Sequence, residues 1–271
     1  MKTNICKIYE NLSAFSADLK QSENDIFNGH YLASQNDGDR YKKFCLTADY
    51  NEANDLMYYG DKKALKRLTN AGTPDSINTT PTPRPRTVAA RVGYAPHVAN
   101  YLNGCPLNML TRTRVSVPKR TLTIFYHIGC SGDTKASEIA RTGANLLSAI
   151  KAIENNGVRV NLYVGKITEA SKEIAATFVR VKTDGQPLDE LKTAYFLANP
   201  SFFRRHLFRW WETTRLITDP DWRNGYGASL SEKADAEKFL ENARVSYDKF
   251  VSFYSLRYYT ANDILKQLTS N

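Results

Sequence analysis

The sequence has no long hydrophobic run. Residues 1–20 hold no apolar signal-peptide core, and no stretch approaches the ~18 apolar residues that a membrane span needs. These absences predict a soluble, cytoplasmic chain with no membrane partner. Cysteine is scarce as well. Cys6, Cys45, Cys105 and Cys130 are widely scattered and form no Cys-x-x-Cys pair, which argues against a zinc ribbon, a dithiol redox motif or a disulfide framework. His30, His97, His127 and His206 form no His-x-x-x-His pair, so zinc chemistry has no support. Repeats are absent.

What is present is a core and a positive charge. Apolar residues make up 42% of the 271 positions, enough for one large domain or a smaller one with an N-terminal appendage. The net charge of +9 is compatible with an anionic partner, either nucleic acid or an acidic protein surface, and equally with plain solubility.

Three regions follow along the chain. Residues 1–72 read as a small α-rich segment, with helices over Glu52–Tyr59 and Asp61–Leu68 broken at Gly60. Residues 73–87 are proline-rich and polar, and read as a linker. Pro81, Pro83 and Pro85 lack the P-x-x-P spacing of the usual SH3 ligand. Residues 88–271 read as an α/β domain, opened by an irregular lead-in over 88–110 that packs on the core.

The regular part begins at Thr121–Ile128, apolar at nearly every position and rich in β-branched and aromatic residues, as a central buried strand should be. The loop Gly129–Thr134 leads to a helix over 135–156, with Asp133 or Thr134 as cap and Gly157 just past its end. Gly143 inside that helix predicts close packing on the sheet. Val158–Val164 and Thr177–Lys182 read as strands. About a dozen residues separate them, barely enough for a crossover helix, so an antiparallel hairpin is expected. Helices over 188–198, 201–213 and 232–244, a strand near 249–254, and a helix capped by Thr260 and Asp263 close the chain.

From Arg120 onward the sequence resembles a von Willebrand factor A-type domain. The likeness rests on the buried strand Leu122–Ile128 with its Ser/Gly loop and long helix, on Gly157 leading into Val158–Val164 and a hairpin, and on the closing helix–strand–helix. Gly185–Asp189 and Leu197–Arg205 are further similar to uncharacterised bacteriophage proteins with such a core. The resemblance implies a Rossmann-like central sheet flanked by helices, and a phage-encoded adaptor for a protein partner in the host cytoplasm. The family's metal motif, D-x-S-x-S, falls on Gly129–Asp133, where Gly replaces the first Asp and Asp the last Ser. Only Ser131 and Asp133 remain as ligands, a thin shell for a hard cation, so neither a bound metal nor another cofactor is expected.

Other chemistry is only partly assembled. Gly129 and Lys135 have phosphate-loop spacing, but Thr134 stands at the second glycine and Ala136 at the magnesium-binding hydroxyl. An anion resting on the helix N-terminus is still physically reasonable. His127 with Ser131 or Cys130, oriented by Asp133, would make a hydrolase; the plainer reading of His127 is a satisfied core histidine. In Phe202–Trp211, Arg204, Arg205 and Arg209 would track phosphates while aromatics stack on bases. Helical spacing instead turns Phe203, Leu207, Trp210 and Trp211 inward and leaves Arg205 and Arg209 solvated. Lys62, Lys63, Lys66 and Arg67 form a second basic cluster, and Arg112, Arg114, Lys119 and Arg120 a third.

These readings converge on a non-catalytic binding protein whose contact surface is Gly129, Cys130, Ser131, Gly132, Asp133 and Thr134. A nucleic-acid-binding protein using the three basic clusters is the alternative, and a His127–Ser131 hydrolase comes third.

Overall fold

A computed structural model describes residues 2–68, 86–113 and 120–270. They fall into two compact units, one from residues 2–68 with 121–270 and one from residues 86–113 with Arg120.

The larger unit is α/β. Strand β1 (Thr3–Tyr9) is followed by helices α1 (Leu12–Leu19), α2 (Asp39–Cys45), α3 (Tyr50–Tyr59) and α4 (Lys62–Leu68), with Gly60 between the last two at φ 85°. The smaller unit contains β2 (Arg86–Ala90), β3 (Ala95–Pro96), the short helix α5 (Val98–Leu102) and β4 (Met109–Thr113), with antiparallel strand order β2-β4-β3. The larger unit resumes with β5 (Thr121–His127), α6 (Ala136–Asn155), β6 (Arg159–Glu169), β7 (Glu173–Lys182) and α7 (Glu190–Ala198). A π-helical stretch, Phe202–Leu207, runs into α8 (Phe208–Thr213). Then come the two-residue β8 (Ala228–Ser229), α9 (Lys233–Asn242), β9 (Lys249–Ser252), α10 (Phe253–Leu256) and α11 (Ala261–Thr269).

The central sheet has the order β1-β7-β6-β5-β9, with β8 pairing the end of β6. Strands β5 and β6 are parallel and joined through α6, which is the βαβ unit that a buried apolar strand and an amphipathic helix dictate. Strand β9 lies parallel on the other side of β5, and β7 runs antiparallel to β6, as the hairpin reading expects. One face is filled by Phe125, Phe178, Phe239 and Phe250 and covered by α9. Helices α6 and α7 contact β6 and β7 and contribute nothing to that cluster. The chain ends on α11, whose Thr260 and Asp263 form the expected capping box.

Several expectations need correction. The hairpin strands run further than their apolar residues suggest, because Lys166, Thr168, Glu173 and Thr177 are buried within the sheet although they are polar. Residues 1–72 are no appendage: β1 pairs in parallel with β7, and α3 and α4 pack on α7 and α6. Residues 88–110 are not an irregular lead-in, since they hold most of β2, all of β3 and α5, and the first two residues of β4. Gly93 lets that sheet close, as a Cβ there would lie 2.0 Å from the Leu110 carbonyl oxygen. Of the expected linker, only its last two residues fall among those described, and they begin β2. Helix α6 starts with Lys135 at the cap position and no side-chain cap, so neither Asp133 nor Thr134 serves there. Gly143 faces helix α7 rather than the sheet.

Candidate functional site at the carboxyl ends of β5 and β9

The chain leaves β5 toward β6 on one side and returns at β9 on the other. Loops at the carboxyl ends of such neighbours diverge, and open α/β sheets bind ligands in the resulting crevice. A cavity of about 360 Å³ lies there. Cys130, Ser131 and Gly132 line it from the loop after β5, Tyr254 from α10, and Gly225, Gly227, Ala228, Ser229 and Ser231 from the chain around β8. Phe203, Phe208 and Lys166 line it from the π-helical stretch, α8 and β6, and Phe44 from α2.

The rim is held by backbone chemistry. Ser131 N–H donates to the Tyr254 hydroxyl at 2.7 Å, and Thr134 N–H donates to Ser131 O at 3.1 Å. Asp133 N–H donates to Ser131 Oγ at 3.4 Å. Arg204 ties this loop to α2. Its guanidinium donates to Thr134 O at 2.6 Å and Phe44 O at 2.7 Å, and stacks 3.5 Å from the Phe44 ring. Gly129 and Cys130 are buried, Thr134 is half-buried, and Ser131, Gly132 and Asp133 are exposed. Burial pushes the Cys130 thiol up, and Arg204 acts in the opposite direction.

The donor set does not fit a divalent cation. Where the A-type metal motif begins with Asp, this chain has Gly129, and a Cβ there would lie 2.4 Å from His127 Cε1 and 2.5 Å from Ser229 Oγ. Ser131 and Asp133 point from an exposed turn. Among the described residues, no three His, Cys, Asp or Glu side chains come together as a metal-binding group.

His127 sits beneath the loop, fully buried, with its ring nitrogens committed. Nδ1 accepts from Gly129 N–H at 3.3 Å and Ile167 N–H at 3.2 Å, which leaves Nε2 as the donor to Leu230 O at 3.1 Å. Ser229 Oγ lies 3.2 Å from the same Nε2. Burial pulls the imidazole down to about 4, against weaker opposing backbone hydrogen bonds. None of its partners is Ser131, so the structure does not assemble the hydrolase pair.

Lys166, in the middle of β6, is the site residue that the sequence reading missed. It is 2% exposed, and Nζ donates one hydrogen bond, 3.2 Å to Tyr226 O. Phe203, Phe208 and Trp211 present ring faces 5.0–5.3 Å from Nζ. Among the described residues no carboxylate pairs with it. Desolvation drags the amine down to about 7, although Cys130 nearby acts weakly in the opposite direction. The signal was a lysine set between apolar Val164 and Ile167, just past the strand read over Val158–Val164.

The basic clusters divide. Arg204 and Arg205 are fully buried and Arg209 nearly so, which corrects the expectation that Arg205 and Arg209 are solvated. The N-terminal segment wraps this face. Arg205 donates to Ser34 O, Asn36 O, Thr47 O and Thr47 Oγ1, and Arg209 to Leu19 O, Gln21 O and Glu23. These guanidinium groups clasp the protein to itself. Lys62, Lys63 and Lys66 are exposed on α4, while the side chain of Arg67 lies outside the described residues. In the smaller unit Arg112 is exposed, its guanidinium 5.5 Å from the ring centre of exposed Tyr94, and Arg120 is exposed as well. Arg114 and Lys119 lie outside the described residues.

No helix among the described residues is long and apolar enough to cross a membrane. No curated protein and no solved structure matches the chain. A family model covers residues 2–268, nearly all of it, and the chain therefore belongs to the family described as "Domain of unknown function (DUF7192)".

Proposed function

We propose that the protein acts by binding rather than catalysis, as an A-type-like adaptor that meets a protein partner at the crevice rim Gly129–Thr134. One observation carries this reading: the crevice sits at the sheet's switch point, and exposed Ser131 and Gly132 line it, with Asp133 exposed beside them in the same loop. The commitment of both His127 nitrogens to interior partners supports a non-catalytic role. The resemblance adds a phage-encoded protein working in the host cytoplasm. A photoreactive benzophenone residue at Ser131 tests it against the same residue at exposed Lys238 on α9. A discrete protein adduct from Ser131 alone supports rim contact. No adduct, or the same adducts from both positions, refutes it, as does turnover of an ester, peptide or nucleotide that Ser131→Ala abolishes.

The second reading, nucleic-acid binding, rests on Arg112 stacked over exposed Tyr94 in the smaller unit, where Tyr101 is also exposed. Fluorescence anisotropy with labelled single-stranded DNA and RNA checks it. Binding that falls steeply with salt and weakens in Tyr94→Ala supports it; flat traces at low salt remove it.

A further inference from the structure

Lys166 presents an unusual balance of charge. An ammonium has three N–H donors, and here one is used, on Tyr226 O. Buried charges are ordinarily paired, yet no carboxylate among the described residues pairs with this one, and none of the residues lining the cavity is Asp or Glu. The aromatic faces of Phe203, Phe208 and Trp211 favour a cation, but they accept no hydrogen bond of ordinary strength. Two ionisable groups near the amine are both held neutral by burial, Cys130 as the thiol and His127 as the imidazole. Arg204 is a second buried cation nearby, its charge acting on Cys130 and its guanidinium on the Phe44 ring and carbonyl. Hydroxyls of Ser131, Ser229, Ser231 and Tyr254 border the same space.

We propose that the crevice is an oxyanion site, in which the Lys166 ammonium is the counter-ion for a carboxylate or phosphate group seated among the surrounding hydroxyls. This rests on the crevice being the binding site and names what enters it. The same chemistry serves a free small anion or an acidic side chain of the adaptor's partner. The oxyanion fills the two N–H donors beyond the one given to Tyr226 O and pairs a charge that no carboxylate among the described residues pairs.

The test is calorimetric titration of the full chain with inorganic phosphate and, separately, acetate, at pH 6 and fixed ionic strength set by sodium chloride. Wild-type protein binds at least one of the two probes, and Lys166→Met binds it about tenfold or more weakly. Methionine matches the lysine stem in length and suits an apolar, aromatic surround, so this variant is expected to fold. Gly132→Trp is the second variant, because no atom lies within 4 Å of where its Cβ would go and the large ring stands at the cavity mouth. It too loses the anion. Absence of binding to wild type overturns the proposal, and so does equal binding by both variants, which would place the anion on the basic surface. A surviving Ser131 cross-link alongside such a result would discard the oxyanion and keep the adaptor; loss of both would discard the crevice as the site.

Discussion

A Cβ added to Gly143 would lie 1.8 Å from the carbonyl oxygen of Leu197 and 2.2 Å from its carbon. The two helices that meet here, α6 and α7, therefore touch backbone to backbone. Gly143→Ala must push them apart despite alanine's better helix propensity. We expect a loss of about 3 kcal/mol, near the upper end for overpacking, read as a lower urea midpoint. A neutral or stabilising result would show that α7 moves freely.

Acid should weaken the fold through His127 and His206. Burial holds them down to about 4 and about 3, well below the ordinary value of 6.5. The unfolded chain consequently takes up protons first, so stability is full above pH 6.5 and drains as pH falls toward 4 and then 3. His127 alone accounts for roughly 3 kcal/mol of that loss. Urea midpoints between pH 7 and 4.5 check it: His127→Gln should show a flatter decline than wild type, and parallel curves would sink the assignment.

Arg205→Ala should cost about 3 kcal/mol or more, because Ser34 O, Asn36 O and Thr47 O lose a donor while remaining largely enclosed. Hydrogen exchange should quicken across residues 33–47. Any nucleic-acid affinity should be unaffected, since this guanidinium is inside the protein. A loss of affinity in a variant of normal stability would contradict that.

Tyr254→Phe removes the acceptor of Ser131 N–H and leaves the amide facing the crevice mouth. A stability change of about 1 kcal/mol or less is expected, with exchange of the Ser131 amide accelerated selectively. Unchanged protection would mean that the turn closed by Thr134 and Ser131 holds the loop alone.

The β5–α6–β6 unit was legible because its residues obey one period at a time: β-branched and aromatic along Thr121–Ile128, helical spacing from Ile139 to Ile153. Strand β1 was not, because Lys7 interrupts its short apolar run and its partner lies far away in sequence. Lys166 and Glu173 broke the strand pattern of the hairpin by being buried and polar, and the first of them lines the crevice. The arginines after Phe203 look like a cationic stripe until the N-terminal segment covers them. Charge in a sequence says nothing about what will wrap it. The loop Gly129–Thr134 lies between β5 and α6, as its strand–turn–helix setting led us to expect, while Lys166 beneath it lies beyond the strand read over Val158–Val164.

Parallel pairing of β1 with β7 carries a cost in time. Thr3 aligns with Glu173, a separation of 170 residues (173 − 3). During synthesis the edge strand must wait for its neighbour while the ribosome adds those residues, on the order of ten seconds or more at usual elongation rates. Ile5, Ile8 and Tyr9 stay without their sheet throughout, and only the completed hairpin gives them somewhere to go. The yield of folded protein should improve when translation through β6 and β7 is quickened.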